Sequence, residues 1–157
     1  MSQDPTNSAP RPLAGFKFRG IDHAAVARAE AALKSLSGNF DEWMADELTK
    51  LEAARGRIRD EGYNAATAEN LYFRAHDLKG LGATYGFPLV TRIAGSLCRI
   101  LHDPEDRMAA PLSLVEGHIN AIIAVVKGDV RSETDSDGVA VAEELELQVS
   151  RRFSAAA

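Results

Sequence analysis

Apolar residues along this chain recur every three to four positions, the spacing that lines one side of an α-helix. Between residues 21 and 130 the pattern reads as helix after helix, with no alternating β-branched run long enough for a sheet. A first helix opens at Asp22, a good N-cap, and runs Ala-rich to Leu36. Ser37-Gly38-Asn39 predicts a break. Beyond it Phe40, Met44, Leu48, Leu51 and Ile58 form the stripe of a second helix that stops at Gly62. A third helix is predicted over 64–85, ending at Gly86. Pro88 suits the first turn of a fourth, with Leu89, Ile93, Leu97 and Ile100 on one side and Asp103-Pro104 as its end. Pro111 begins a fifth, carrying Leu112, Val115, Ile119, Ile122 and Val126 and closed by Gly128.

The two ends differ from this middle. Residues 1–20 carry Pro5, Pro10 and Pro12 among polar residues and are expected to be a disordered lead-in. Residues 131–138, RSETDSDG, read as an acidic linker. A last helix over 139–153 is predicted within a tail, 131–157, that is partly disordered. Short loops between stripe-bearing helices favour antiparallel neighbours. The expected fold is therefore all-α: an up-and-down antiparallel four-helix bundle over 21–130, with an extra N-terminal helix and flexible tails.

Composition narrows the setting. Of 157 residues, 45% are apolar and 26% charged, the balance of a globular protein with a core of its own. A single cysteine, Cys98, rules out an intramolecular disulfide and reads as a small buried filler, which fits a reducing compartment. No signal sequence and no membrane span are read, so a cytoplasmic location is expected, with no membrane partner. The net charge of −5 argues against a nucleic-acid partner, since affinity for phosphate backbones needs clustered Lys and Arg.

Candidate chemistry concentrates in Leu71-Tyr-Phe-Arg-Ala-His-Asp-Leu-Lys-Gly-Leu-Gly-Ala-Thr-Tyr-Gly-Phe-Pro88. At about 100° per residue, Leu71, Ala75, Leu78, Gly82 and Tyr85 fall within about 40° of one line, the buried stripe. His76 lies about 140° away and Gly80 about 180° away, both facing water. Glycine inside a helix costs about 0.5–1 kcal/mol relative to alanine. Gly82 is explained by close packing and Gly86 by the helix stop. Gly80 has neither explanation, and an open approach to the His76 imidazole supplies one. Ala83 keeps the same face low, and Lys79 projects from the same turn. The remaining histidines, His23, His102 and His118, read as surface or helix-end residues.

His76-Asp77-Leu78-Lys79-Gly80, with Gly86 ten residues after the histidine, resembles the signature of the histidine-containing phosphotransfer (HPt) domain family. The likeness is specific over about a dozen residues, and the tails lie outside it. It implies that His76 is the phosphoacceptor, that Lys79 balances the phosphoryl charge, and that Gly80 leaves room for a partner's active site. The function it implies is a two-component phosphorelay intermediate, taking a phosphoryl group from a phospho-aspartyl receiver domain or a sensor histidine kinase and passing it to a response regulator. It implies no cofactor and no metal site in this chain, the Mg²⁺ being supplied by the receiver.

Tyr72, Phe73, Ala83 and Phe87 would form a docking patch, although the aromatics also fit a core edge. Arg92 and Arg99, seven apart on one flank of the fourth helix, would steer acidic receivers, although a solvated face explains them better. No kinase or ATPase activity is expected, because no Gly-rich and Asn-bearing ATP boxes are present. A metal-binding bundle would need inward Glu and Glu-x-x-His sets, which are missing. The alternative is a helical adaptor that binds receiver domains without phosphate. Polar outer faces predict a monomer.

Overall fold

The computed structural model describes residues 21–156, so the predicted lead-in lies outside the described residues. Among the described residues all regular structure is helical: α1 (His23–Glu61), α2 (Ala65–Leu81), α3 (Pro88–Leu101), α4 (Pro104–Ala109), α5 (Leu112–Lys127) and α6 (Ser136–Ala156). The chain divides into two compact units, Met1–Gly38 and Asn39–Ala157. In the first, Asp22 Oδ1 accepts the Ala24 N–H at 3.0 Å, as an N-cap should, and no described residue is buried. The predicted break at Ser37-Gly38-Asn39 is absent: residues 37–39 are helical within α1. A mid-helix glycine costs only about 1 kcal/mol, too little to end a helix without a proline.

In the second unit α3 is the central element. It packs against α2, α4, α5 and α6, and nine of its residues are buried. Leu71, Ala75 and Leu78 of α2, Ile93 and Leu97 of α3, and Val115 and Ile122 of α5 have no exposed surface. Leu51, Ala54 and Ile58 of α1 join the same core. The predicted stripes fit this core except at Leu112, which is exposed, and at Phe40, which is half-buried and outside the core cluster.

Local signals set the ends of α2, which carries the candidate site. Gly62, at φ +90°, reverses the chain after α1. Asn64 Oδ1 then accepts the Ala66 and Thr67 N–H groups, and Thr67 Oγ1 accepts the Asn64 N–H, each at 3.0 Å. This reciprocal cap fixes the start of α2. Regular helix ends at Leu81, four residues before the predicted end, and turns continue to Tyr85. Gly86, at φ +95°, then closes it: Phe87 N–H reaches Gly82 O at 2.8 Å and Gly86 N–H reaches Ala83 O at 3.0 Å, a Schellman pattern. The same pattern closes α5, but Asp129 rather than Gly128 takes the left-handed position, at φ 54°.

Two helices depart from the sequence reading. α4 was not predicted. It is a short six-residue helix behind the Asp103 cap, whose Oδ1 accepts from Glu105 and Asp106 N–H. α6 starts at Ser136, inside the predicted linker, and packs on α3 and α5 with Ala142, Leu145 and Val149 buried. Those three recur at helical spacing, so the tail holds a core-facing stripe of its own.

Candidate functional site

His76 projects from the fourth turn of α2, on the side opposite Leu71, Ala75 and Leu78, and it is exposed. One turn later, a Cβ added to Gly80 would meet nothing within 4 Å. The contrast with Gly82 is sharp: there a Cβ would lie 2.7 Å from both the backbone N and the Oγ1 of Thr91. The first glycine leaves open space beside the imidazole, and the second lets α3 approach α2. Ala83 is exposed, and its N–H is held by Thr91 Oγ1 at 2.7 Å.

Lys79 is exposed at its head, while its methylenes lie 3.9–4.0 Å from the place a Gly95 Cβ would occupy. Its stem therefore lies over α3, where Gly95 makes room, leaving the ammonium at the surface. Asp77, next to His76, is engaged by Arg74 at 3.4 Å. The buried Cys98 thiol is pushed up to about 11 by desolvation, with Lys79 pulling slightly the other way, so it is no nucleophile at neutral pH.

On the other side of His76 stands an aromatic group. The Tyr72 ring is 6.1 Å from the His76 ring and 5.8 Å from Phe73, which is 50% exposed. Tyr72 is half-buried. Its hydroxyl lies 2.9 Å from His102 Nδ1, and the Arg107 guanidinium lies over its ring at 5.0 Å. Arg107 also donates to Leu101 O, at the end of α3. His102 is at a helix end, as expected, but its bond to Tyr72 crosses thirty positions and has no local sequence signal.

The site thus collects Tyr72, Phe73, His76, Lys79 and Gly80 along the outer side of α2, and Ala83 in the turn that follows it. Three predicted docking residues do not join it as expected. Phe87 is 2% exposed and belongs to the core, covered by Arg131 at 4.2 Å. As the last residue of the Schellman turn it points inward, where such turns place an apolar contact. Arg92 is held by Glu146 of α6 through two bonds of 2.7 Å, which raise the arginine's pKa and lower that of the glutamate. Arg99 donates to Ser150 Oγ and lies over Phe153 at 4.9 Å. Both arginines fasten α6 to α3 and are not free to steer a partner.

His118 also departs from its expected surface place. It is wholly buried, bonded to Leu114 O and Ser96 Oγ, and burial lowers its pKa. Its position four residues after Leu114 and four before Ile122, both buried, was the signal available in the sequence. Among the described residues no group of three or more His, Cys, Asp or Glu is placed to hold a metal ion, and no helix is long and apolar enough to cross a membrane. No protein-family model, curated protein or solved structure matches the chain.

Proposed function

We propose that this protein is a cytoplasmic phosphorelay intermediate of two-component signalling, with His76 as its phosphoacceptor. The observation that carries the reading is an exposed imidazole on a well-packed helix beside a turn, at Gly80, that has open space where a side chain would stand. Short links between the helices favour the up-and-down antiparallel four-helix arrangement that such a carrier would use.

In the forward step a neutral His76 ring nitrogen attacks the phosphorus of an aspartyl phosphate on a receiver. An N–P bond forms, the P–O bond to the aspartate breaks, and the carboxylate leaves with the electron pair. The reverse geometry hands the phosphoryl group to the aspartate of a second receiver. Phosphoryl transfer depends on in-line positioning and charge neutralisation. This chain contributes the rigid imidazole and the Lys79 ammonium, and the receiver contributes Mg²⁺ and its acidic pocket. A phosphoryl group brings about −1.5 to −2 charges, which the solvated Lys79 offsets in part. Tyr72 and Phe73 provide the apolar contact for the receiver.

The test is transfer from a radiolabelled phospho-receiver. Wild-type protein takes up acid-labile, alkali-stable label, whereas His76→Gln takes up none and keeps its helical content. ATP alone labels neither. Label on His76→Gln would overturn the assignment, and receiver binding without any transfer would favour the adaptor.

A further inference from the structure

The face around His76 lacks the basic flank of Arg92 and Arg99, because α6 holds both arginines. Another arginine does reach it. Arg107 of α4 lies over the Tyr72 ring at 5.0 Å, and that ring is 6.1 Å from the His76 ring. On α2, Tyr72 stands one turn before the imidazole and Lys79 one turn after it. Cations therefore stand on both sides of His76 along the helix.

Arg107 is fixed in place. Its Nε donates to Leu101 O at 2.7 Å and its Nη2 to His102 O at 3.3 Å, at the C-terminal end of α3, where open carbonyls favour a cation. Tyr63 donates its hydroxyl to Arg107 O at 2.6 Å and ties down the backbone. His102 Nδ1 lies 2.9 Å from the Tyr72 hydroxyl, which holds the ring against the guanidinium. The two carbonyls and the ring orient the arginine without cancelling its charge. Among the described residues no carboxylate pairs with it. The residue is partly exposed, and a guanidinium has more N–H groups than these bonds use, so donors remain for a partner. A side chain held this way has given up its rotamer freedom before docking begins.

The partner's chemistry follows from the reaction. A receiver that holds Mg²⁺ beside an acceptor aspartate needs oxygen ligands there, carboxylates among them. The rim of its pocket is therefore anionic, which complements a fixed guanidinium next to the apolar surface of Tyr72 and Phe73. We propose that Arg107 is the docking cation of this face, donating its remaining N–H groups to a carboxylate on the receiver's rim. The proposal rests on the reading of the His76 face as a receiver's docking surface. It makes Arg107 a determinant of choice among receivers, favouring those that carry a carboxylate at that place.

Receiver binding is followed by calorimetry and phosphoryl transfer by stopped flow, both from low to high salt. Arg107→Gln weakens receiver binding about fivefold or more, flattens its salt dependence, and acts on the half-saturating receiver concentration more than on the maximal rate. Arg107→Lys keeps the salt dependence, because it keeps the charge. A purely structural role would lower the melting temperature and leave the salt dependence as it was. In a double-mutant cycle, carboxylates on the receiver's rim are replaced in turn by amides, and one of them weakens binding to the wild type but not to Arg107→Gln. If Arg107→Gln loses helical content, wild-type protein with nitrogen-labelled arginine takes its place: the Arg107 Nε–H resonance shifts on receiver binding and that of Arg92 does not. Unchanged affinity and salt dependence in a folded Arg107→Gln protein overturn the proposal and leave the relay standing. So does an Arg107 resonance that ignores the receiver. Weakened binding in Arg107→Gln without any transfer to the wild type keeps the docking cation and strikes the relay.

Discussion

The Ser96 hydroxyl on α3 lies 2.9 Å from Nε2 of His118 on α5, and both residues are buried. Nδ1 of the same ring is 2.8 Å from Leu114 O, a group that only accepts. Nδ1 therefore carries the proton, and Nε2 accepts from Ser96. The imidazole is neutral and fully satisfied, which lets a polar ring sit in the core between two helices.

This pairing predicts acid sensitivity. Burial holds the folded His118 pKa below its ordinary value, while the unfolded ring titrates near 6.5. The unfolded chain then binds more protons below that pH. The His118 contribution is complete above pH of about 6.5 and is lost as pH falls from there toward the depressed folded value. Urea midpoints should drop between pH of about 7.5 and 5.5, and His118→Gln should shrink the drop. An equal drop in both proteins would contradict the assignment.

The α6 helix should be structural. Leu145→Ala, in the core, should cost about 2–4 kcal/mol in chemical denaturation. Arg92→Ala should cost about 0.5–1 kcal/mol, since the pair with Glu146 is partly exposed and screened by salt. Arg92 holds the Glu146 carboxyl below its ordinary pKa, so their coupling is complete above the unfolded carboxyl's pKa and disappears as pH falls through the folded one. Transfer from a receiver should proceed at the wild-type rate in Arg92→Ala. A slowed transfer with intact stability would restore the steering role.

Phe73 separates surface from core. Half of it is exposed, so Phe73→Ala should change stability by no more than about 0.5 kcal/mol. Receiver affinity, read by calorimetry, should fall by about 1 kcal/mol or more if Phe73 anchors the docking patch. Tyr72→Phe keeps the ring and the Arg107 stack and removes only the His102 bond, so it should leave receiver affinity unchanged. Weakened affinity in Tyr72→Phe with full affinity in Phe73→Ala would move the contact to the hydroxyl.

Much of α2 was legible in the sequence because a 3.6-residue period fixes which side each residue faces. Leu71, Ala75 and Leu78 are buried and His76 is exposed, and Gly86 ends the turn as its lack of a side chain allows. What was not legible depends on residues far apart in the chain. Arg92 and Arg99 read as a free basic flank until Glu146 and Ser150, more than fifty positions away, meet them. Phe87 read as surface because its inward direction is set by the Schellman turn, not by helical phase. His118 is polar by residue type, yet its spacing places it on the apolar stripe between Leu114 and Ile122. At Gly38 the turn-forming residues do not outweigh helix continuity, and α1 runs through them.

Gly80 and Gly82 give the sharpest test, since they are two residues apart and should respond in opposite ways. At Gly82 a methyl meets the Thr91 backbone at 2.7 Å, so Gly82→Ala should destabilise by about 1–3 kcal/mol through forced separation of α2 and α3. At Gly80 a methyl meets nothing, and Gly80→Ala should stabilise by up to about 0.5–1 kcal/mol through the lower entropy of the unfolded chain. Stability alone therefore gives no reason to keep glycine at position 80. The proposed access of a receiver to His76 would supply one. Gly80→Gln should fold at least as well as the wild type and yet slow phosphoryl transfer by about tenfold or more, because its side chain fills space the receiver must enter, at a cost of about 1.4 kcal/mol per factor of ten. Stopped-flow transfer kinetics and thermal melts on the same samples would measure both effects. Undiminished transfer in a stable Gly80→Gln protein would mean that the space beside the imidazole is not used, and the open turn would lose its explanation.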